Sequence, residues 1–176
     1  MKSLLALTLG LLLSIWSYAQ NGGKKTTKVE WNGIKLEENI VIGITFDVTE
    51  ATFGGLSYED RCEVDPELKT DFQDAVARCA NAANKLMQYY YYNIYFSPKT
   101  EGKDYYIVFK VLSVDTYGWT NADAKLVTPG GVATFTNLTG KGGTFGTFVN
   151  LMGDGFESLG KDVVKRIAKA KEKKKI

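Results

Sequence analysis

The sequence predicts an α+β fold, in which an antiparallel sheet carries two helices on one face and forms a single domain after a cleaved signal peptide. Three observations lead to this prediction. Residues 40–48 alternate apolar and polar side chains, two later segments have apolar stripes at helical spacing, and several strand-like segments follow the first of these helices in succession. An apolar content of 44% with only three prolines is typical of a folded domain.

Residues 1–19 have the pattern of an export signal. One positive charge at Lys2 precedes an uncharged apolar run, Leu4 to Ile15, and small residues occupy positions 17 and 19. The run is shorter than the roughly 20 residues that a membrane-spanning helix needs. We therefore expect cleavage before Gln20 and an exported protein, in the periplasm, at the periphery of the outer membrane or outside the cell.

Strands are expected where β-branched and aromatic residues lie between turn-forming residues. The alternation at 40–48 predicts a strand with one buried face, and the segment 104–115, which is apolar on both faces apart from Lys110, predicts the central strand. The other expected strands are 89–96, an edge hairpin at 28–36 that turns at Asn32-Gly33, and a hairpin of 132–137 with 144–152 around the glycine-rich turn 138–143.

Two helices are predicted from their apolar stripes. In the first, side chains at spacings of three and four share one face; they are Phe72, Val76, Cys79, Ala83 and Leu86. The second is expected at 157–173, with its own stripe; it consists of Phe156, Leu159, Val163, Ile167 and Ala170. We divide the chain into a signal peptide (1–19), an α+β domain (20–164) and a basic helix end or tail (165–176).

Cys62 and Cys79 are the only cysteines, and an even count in an exported protein predicts one disulfide. The start of the first helix decides whether this bond is geometrically feasible. A start at Asp65-Pro66 places Cys79 about 21 Å along the helix, beyond the reach of the linker, whereas a start at Thr70 brings it within reach. The alternative is a buried, apolar Cys79 and a free thiol at Cys62.

The chain contains no histidine. This excludes nucleophilic mechanisms that depend on imidazole and removes the commonest general base and metal ligand. The acidic clusters, such as Glu59-Asp60, lack the spacing of a calcium loop, and the glycine-rich segment 140–146 matches neither a phosphate loop nor a dinucleotide motif. We expect no catalytic residues, no cofactor and no metal site.

Aromatic residues are concentrated in two neighbouring segments. Four consecutive tyrosines begin at Tyr89, and alternation in the expected strand sends one set outward, either Tyr89, Tyr91 and Tyr95 or Tyr90 and Tyr92. With Tyr117 and Trp119, the first of these sets is our candidate partner surface, because exposed aromatic side chains often anchor protein partners. If another element covers this face, the tyrosines are core.

Charge is distributed unevenly. Residues 165–176 hold seven basic side chains against Glu172 alone, whereas residues 20–164 carry 14 basic and 19 acidic ones. A basic tail of this kind can contact anionic lipid, but lysines also suit the negative end of a helix dipole. We expect no nucleic-acid partner and a membrane contact, at most, through this tail. The oligomeric state stays open.

Three segments resemble a group of secreted bacterial envelope domains. Residues 104–111 (Asp-Tyr-Tyr-Ile-Val-Phe-Lys-Val) resemble a strand motif, residues 135–141 (Phe-Thr-Asn-Leu-Thr-Gly-Lys) a hairpin turn and residues 158–165 a closing helix of the curli-secretion CsgG and TolB N-terminal type. Asn137 replaces the usual acid, and the lipoprotein cysteine of many members is absent. The resemblance implies a non-enzymatic envelope role with no catalytic residues to transfer.

The function expected from these observations is protein binding in the cell envelope, with another envelope protein as partner, in assembly or secretion. Two alternatives remain open. The first is a secreted cystatin-like inhibitor module, which an exposed, mobile loop near residues 56–64 would favour. The second is a histidine-free hydrolase that uses two carboxylates, which would require a deep pocket with converging acids.

Overall fold

A computed structural model of the chain describes residues 26–176, so the expected signal peptide lies outside the described residues. Strands and helices in this region form one mixed α/β arrangement. In chain order the elements are β1 Lys28–Glu30, β2 Ile40–Asp47, β3 Thr52–Phe53, α1 Tyr58–Val64, α2 Glu67–Tyr89, β4 Ile94–Ser97, β5 Tyr105–Val114, β6 Thr120–Thr128, β7 Gly131–Gly140 and α3 Phe148–Glu172.

The sheet has the strand order β1-β7-β6-β5-β2-β4, and β3 pairs with the end of β5. Strands β5, β6, β7 and β1 pair antiparallel. In contrast, β2 is parallel to both β4 and β5, and β3 is parallel to β5. The sheet is therefore mixed and not wholly antiparallel. The reason is that β2 and β4 are joined through a helix, and a crossover of that kind returns the chain in the same direction.

Helices α2 and α3 pack on one face of this sheet and share its core. Phe46 of β2 stacks on Phe156 of α3, with ring centroids 4.0 Å apart, and Phe156 in turn meets Phe72 of α2 edge-on. The two helices approach closely at Gly160, where a methyl group would lie 2.8 Å from the Cys79 carbonyl oxygen. A glycine at this point therefore allows the backbones of the two helices to come into contact.

Three predicted elements differ from the structure. The expected strand 89–96 is shortened to β4, because α2 continues through Tyr89 and the chain then turns at Tyr91. Of the expected strand 144–152, residues 148–152 begin α3 and residues 144–147 precede it. The expected turn 138–143 is strand β7 as far as Gly140, and the partner of β7 is β6, which the sequence did not predict. The turn at Asn32-Gly33 forms, but only its first strand, β1, joins the sheet.

The expected disulfide does not form: Cys62 and Cys79 are both free. Helix α2 begins at Glu67, the early start, so Cys79 lies about 18 Å along it at 1.5 Å per residue. Its thiol is fully buried against Gly160 of α3, whereas Cys62 lies in α1, on the other side of the linker. The helix start thus excludes the bond for the geometric reason that the sequence already indicated.

Residues 165–172, assigned from sequence to a basic helix end or tail, form the last two turns of α3. Ile167 and Ala170 in these turns are buried, and Lys165 and Lys169 between them are exposed. Among residues 26–176, none of the helices is long and apolar enough to cross a membrane.

Candidate functional site

The helices cover only one face of the sheet, and the opposite face carries the candidate site. Strand alternation places buried residues such as Ile42 and Phe109 toward the helices, and the side chains between them on the other face. No helix within residues 26–176 covers this second face, which we call the open face. Any partner of the sheet itself would meet the molecule here.

An apolar strip crosses the open face at right angles to the strands. It contains one side chain each from β4, β2, β5, β6 and β7, and neighbours along it are cross-strand partners or diagonal neighbours. The members of this apolar strip are Tyr95, Val41, Tyr106, Val127 and Val132. Tyr95 is 49% exposed, Val41 39% and Val132 36%. A row of partly exposed apolar side chains over five strands is a surface suited to a protein partner.

The loop between β4 and β5 crosses this strip at one point. Because β4 and β5 lie on opposite sides of β2 and run in the same direction, the connecting chain must pass over β2. It does so at Gly43, where a methyl group would lie 2.7 Å from the Thr100 Cα and 2.8 Å from the Lys99 carbonyl oxygen. The absence of a side chain at Gly43 therefore allows the β4–β5 loop to cross β2 at this point, and the loop separates Val41 from the rest of the strip.

The neighbouring half of the open face is polar. Lys110 pairs with Glu50 at 2.5 Å, and this hydrogen bond, with the charge of Glu50, raises the pKa of the lysine. Asp47 accepts hydrogen bonds from the Thr49 hydroxyl and backbone N–H, which lower its pKa. Lys110 and Asp47 therefore have partners within the face, whereas Lys125 of β6 is exposed and forms no ion pair within residues 26–176.

A side-chain amide caps the β4 edge of the sheet. Asn84 of α2 donates to the Phe96 carbonyl at 2.9 Å and accepts from its N–H at 2.7 Å, as a neighbouring strand would. At the other side of the sheet β1 is the edge strand, and Asn32 donates to the Val132 carbonyl of β7 at 2.9 Å just beyond it. A strand added to β4 would have to displace Asn84, so the open face is more accessible to a partner than the β4 edge.

The structure does not bring the predicted aromatic residues together on one surface. Tyr95 lies on the apolar strip. Tyr89 ends α2 and Tyr91 follows it, so both project from the end of the molecule at which β2, β4 and β5 begin. Tyr117 and Trp119 lie at the opposite end, in the turn between β5 and β6. The expectation that these tyrosines share one face is wrong because residues 89–96 are not one strand: Tyr89 is in α2, and only residues 94–96 are in β4.

A second group of aromatic residues lies around the β5–β6 turn, and it includes Phe145, which the sequence analysis does not identify. Asp115 accepts hydrogen bonds from the N–H groups of Tyr117 and Trp119, at 2.8 and 2.9 Å, and so fixes the turn. Gly142 packs against the Tyr117 carbonyl and brings the loop 141–147 beside it. Phe145 in this loop is 92% exposed. In the sequence, Phe145 is recognisable only as a single aromatic residue among glycines, in a segment without the apolar–polar alternation of a strand.

At the other end of the molecule, the tyrosine run meets the end of α3. Lys171 lies over the ring of Tyr92, 5.4 Å from its centroid, donates to the Leu36 carbonyl and pairs with Glu38 at 2.9 Å. The hydrogen bond from Lys171 lowers the pKa of Glu38. A cleft of about 490 Å³ lies beside these contacts, between residues 33–37 and the end of α3.

The ionisable groups inside the fold are engaged in structural contacts. Arg78 donates to Glu157 at 3.0 Å, and also to Asp154 and to the Asn150 carbonyl, which joins α2 to α3. Burial raises the pKa of Tyr58 to about 12, with a further contribution from its neighbour Cys62. Within residues 26–176, no three acidic or cysteine side chains are grouped so as to hold a metal ion.

Comparison with known proteins adds no relative to this description: no protein-family model, no curated protein and no solved structure matches the chain.

Proposed function

We propose that the chain is an exported, non-enzymatic binding module of the cell envelope whose protein partner docks on the open face. The observation that carries the proposal is the apolar strip. Its side chains run unbroken from β4 to β7 apart from the Gly43 crossing, and Lys110 on the neighbouring half of the face is paired with Glu50. The resemblance to CsgG and TolB N-terminal domains supports the same kind of role.

The segment near residues 56–64, which the inhibitor alternative requires to be an exposed, mobile loop, is largely a fixed helix. Residues 58–64 form helix α1 rather than an exposed loop, and Ser57 caps it by accepting a hydrogen bond from the Asp60 N–H at 3.0 Å. Arg61 in this helix lies 4.0 Å from the centre of the Phe148 ring. A segment fixed in this way has less freedom to insert into a protease cleft than the loop that the inhibitor alternative requires.

Photo-crosslinking in the native host tests the proposal. A benzoylphenylalanine replaces Val127 or Val132 on the apolar strip and, as a matched control, exposed Lys165 on the outer side of α3. We expect both strip positions to give an adduct with the same protein and Lys165 to give none. Adducts at Lys165 alone would contradict docking on the open face.

The captured protein is then purified and its affinity for the chain is measured directly. Val127→Lys places a charge in the middle of the strip, and we expect binding at least tenfold weaker, because a central contact is worth about 1.4 kcal/mol or more. Lys165→Gln is the control and should bind as the parent does. Equal affinities for the Val127→Lys variant and the parent would refute the assignment.

A further inference from the structure

Tyr91 has a backbone conformation that its residue type disfavours. It directly follows the C-cap of α2 and has a φ of 58°, in the left-handed region, where glycine is the usual residue. A bulky side chain in this region is strained. The Tyr91 ring is also 93% exposed, so packing within residues 26–176 offsets little of the conformational strain. Strain without packing points to a use of this ring outside the fold.

The neighbouring tyrosines extend this feature. Tyr89, one turn after Lys85 on α2, is 74% exposed, and its ring meets that of Tyr90 edge-on at 5.6 Å. Tyr92 lies under Lys171, which ties the run to the end of α3. The two exposed rings of Tyr89 and Tyr91 therefore lie at the same end of the molecule as the lysines that end α3.

Six lysines at this end are exposed and, within residues 26–176, outside every ion pair, whereas Lys171 is held by Glu38. Together with the two exposed rings they form what we call the tyrosine–lysine pole: Tyr89, Tyr91, Lys35, Lys85, Lys169, Lys173, Lys174 and Lys175. The exposed acids at this end are Glu37, Glu172 and Glu38, of which Glu38 is paired with Lys171. The pole therefore presents an excess of positive charge together with two exposed aromatic rings.

We propose that the tyrosine–lysine pole binds the surface of an anionic phospholipid bilayer. Tyrosine rings favour the depth of the lipid headgroups, where one end of the ring is apolar and the other is hydrated. Lysines on long flexible stems reach the headgroup phosphates, and their attraction accumulates with each residue near the surface. The pole and the apolar strip both lie toward the end of the molecule at which β2, β4 and β5 begin. The pole is at the ends of α2 and α3, whereas the strip is on the sheet face that these helices leave uncovered, so the strip stays accessible when the pole is bound.

Co-sedimentation with vesicles tests this assignment, with the protein purified from its host. Vesicles of phosphatidylcholine with about one third phosphatidylglycerol are compared with vesicles of phosphatidylcholine alone. We expect partitioning onto the anionic vesicles at least tenfold stronger, and a marked loss at high salt because exposed charges are screened. Equal partitioning onto both vesicles, or none onto either, would overturn the proposal.

Variants assign the binding to the pole. Tyr91→Gly removes the ring and the backbone strain together, so we expect a well-folded protein with severalfold weaker partitioning. Lys173→Gln, Lys174→Gln and Lys175→Gln combined should weaken it more than tenfold. Trp119→Ser, at the opposite end, is the matched control and should bind as the parent. If only the control variant loses binding, the pole is not the membrane contact.

The vesicle experiment is independent of the proposed partner site. Val127→Lys on the apolar strip should not weaken vesicle binding, and Tyr91→Gly should leave the affinity for the captured protein unchanged. Loss of vesicle binding in the Val127→Lys variant would contradict the separation of the two surfaces.

Discussion

A substitution at Tyr91 should change the stability of the fold and the binding to vesicles in opposite directions. The left-handed conformation costs a non-glycine residue roughly 1 kcal/mol, and the exposed ring contributes little packing in return. We expect Tyr91→Gly to raise the free energy of unfolding by up to about 1 kcal/mol, offset in part by the greater freedom of glycine in the unfolded chain. Urea denaturation followed by circular dichroism measures the change.

Tyr91→Ala is the control for this prediction. Alanine removes the ring but retains a Cβ, so the strain at this φ persists and the stability should stay close to that of the parent. If alanine and glycine stabilise equally, the ring rather than the backbone is the source of the strain, and the interpretation of this position is wrong.

The two cysteines differ in their surroundings, and thiol titration should distinguish them. Cys79 is fully buried, and burial raises the pKa of its thiol, so the reactive thiolate is scarce. Cys62 is half-buried and bordered by Tyr58. We expect a thiol reagent to modify one cysteine in the native protein and two in denaturant.

Cys62→Ser is the control for this titration and should abolish the reaction of the native protein. A protein with no titratable thiol in denaturant would contradict the finding that both cysteines are free thiols.

At the scale of elements, Asn84 links α2 to the edge of the sheet. Its amide satisfies both backbone groups of Phe96, which would otherwise face an uncovered edge. We expect Asn84→Ala to lower the free energy of unfolding by about 1–3 kcal/mol, because two polar groups lose their partners. Urea denaturation measures this loss.

The same substitution should also promote self-association, since it exposes the edge of β4. Sedimentation velocity at increasing concentration measures this effect. Asn81→Ala, an exposed position one turn earlier on α2, is the matched control and should change neither property. A monomeric, fully stable Asn84→Ala variant would show that solvent satisfies Phe96 equally well.

The contact between α2 and α3 should make stability depend on pH. Burial opposes the ionisation of Glu157, but hydrogen bonds from Arg78 and Lys161 outweigh it and lower its pKa below the ordinary value of 4.5. A depressed carboxyl pKa stabilises the fold above the unfolded-state pKa, and this contribution disappears as the pH falls through the folded-state pKa. Acid should therefore weaken the contact between the helices.

Glu157→Gln tests this dependence. The variant should be less stable than the parent at neutral pH, because Arg78 loses a charged partner, and it should lose less stability than the parent between about pH 5 and pH 3. Urea denaturation over this range gives both slopes. Identical slopes for parent and variant would indicate that Glu157 contributes nothing to acid sensitivity.

The elements that the sequence predicted are those in which local pattern and tertiary position agree. Ile40–Asp47 alternates because one face is buried, and Tyr105–Val114 is central in the sheet as expected. The start of α3 was missed because Gly153 and Gly155 weaken its helical pattern. Contacts explain these glycines: the Arg78 guanidinium packs against Gly153, and Gly155 meets the Gly118 carbonyl. Tertiary packing thus overrides local propensity in this segment.

At the scale of the whole molecule, the candidate site was only partly predictable. Tyr95 lies on an exposed sheet face as expected, but the remaining strip residues come from strands that are distant in sequence and adjacent only through the order β4-β2-β5-β6-β7. That order depends on the parallel crossover at Gly43, which has no local signal beyond one glycine in a strand. Composition indicated the basic helix end, but not that the tyrosine run meets it.

The described elements share one core, in which buried side chains of the sheet, α2 and α3 form a continuous cluster. We therefore expect the protein to unfold in a single cooperative transition. Trp31, which packs edge-on against Phe135 beside β1, and Trp119, in the β5–β6 turn, report on two separate parts of the sheet. Circular dichroism at 222 nm reports mainly on α2 and α3.

In the protein from Gln20 onward, which lacks Trp16, Trp31→Phe and Trp119→Phe variants isolate the fluorescence of the other tryptophan. In urea, each signal should coincide with the circular dichroism of the same variant, because neither the helices nor either part of the sheet retains a core when the rest unfolds. A fluorescence transition at lower urea for Trp31 alone would mean that β1 detaches from β7 first. Its three-residue pairing with β7 is the shortest on the main sheet path, so separate unfolding would begin there if cooperativity failed.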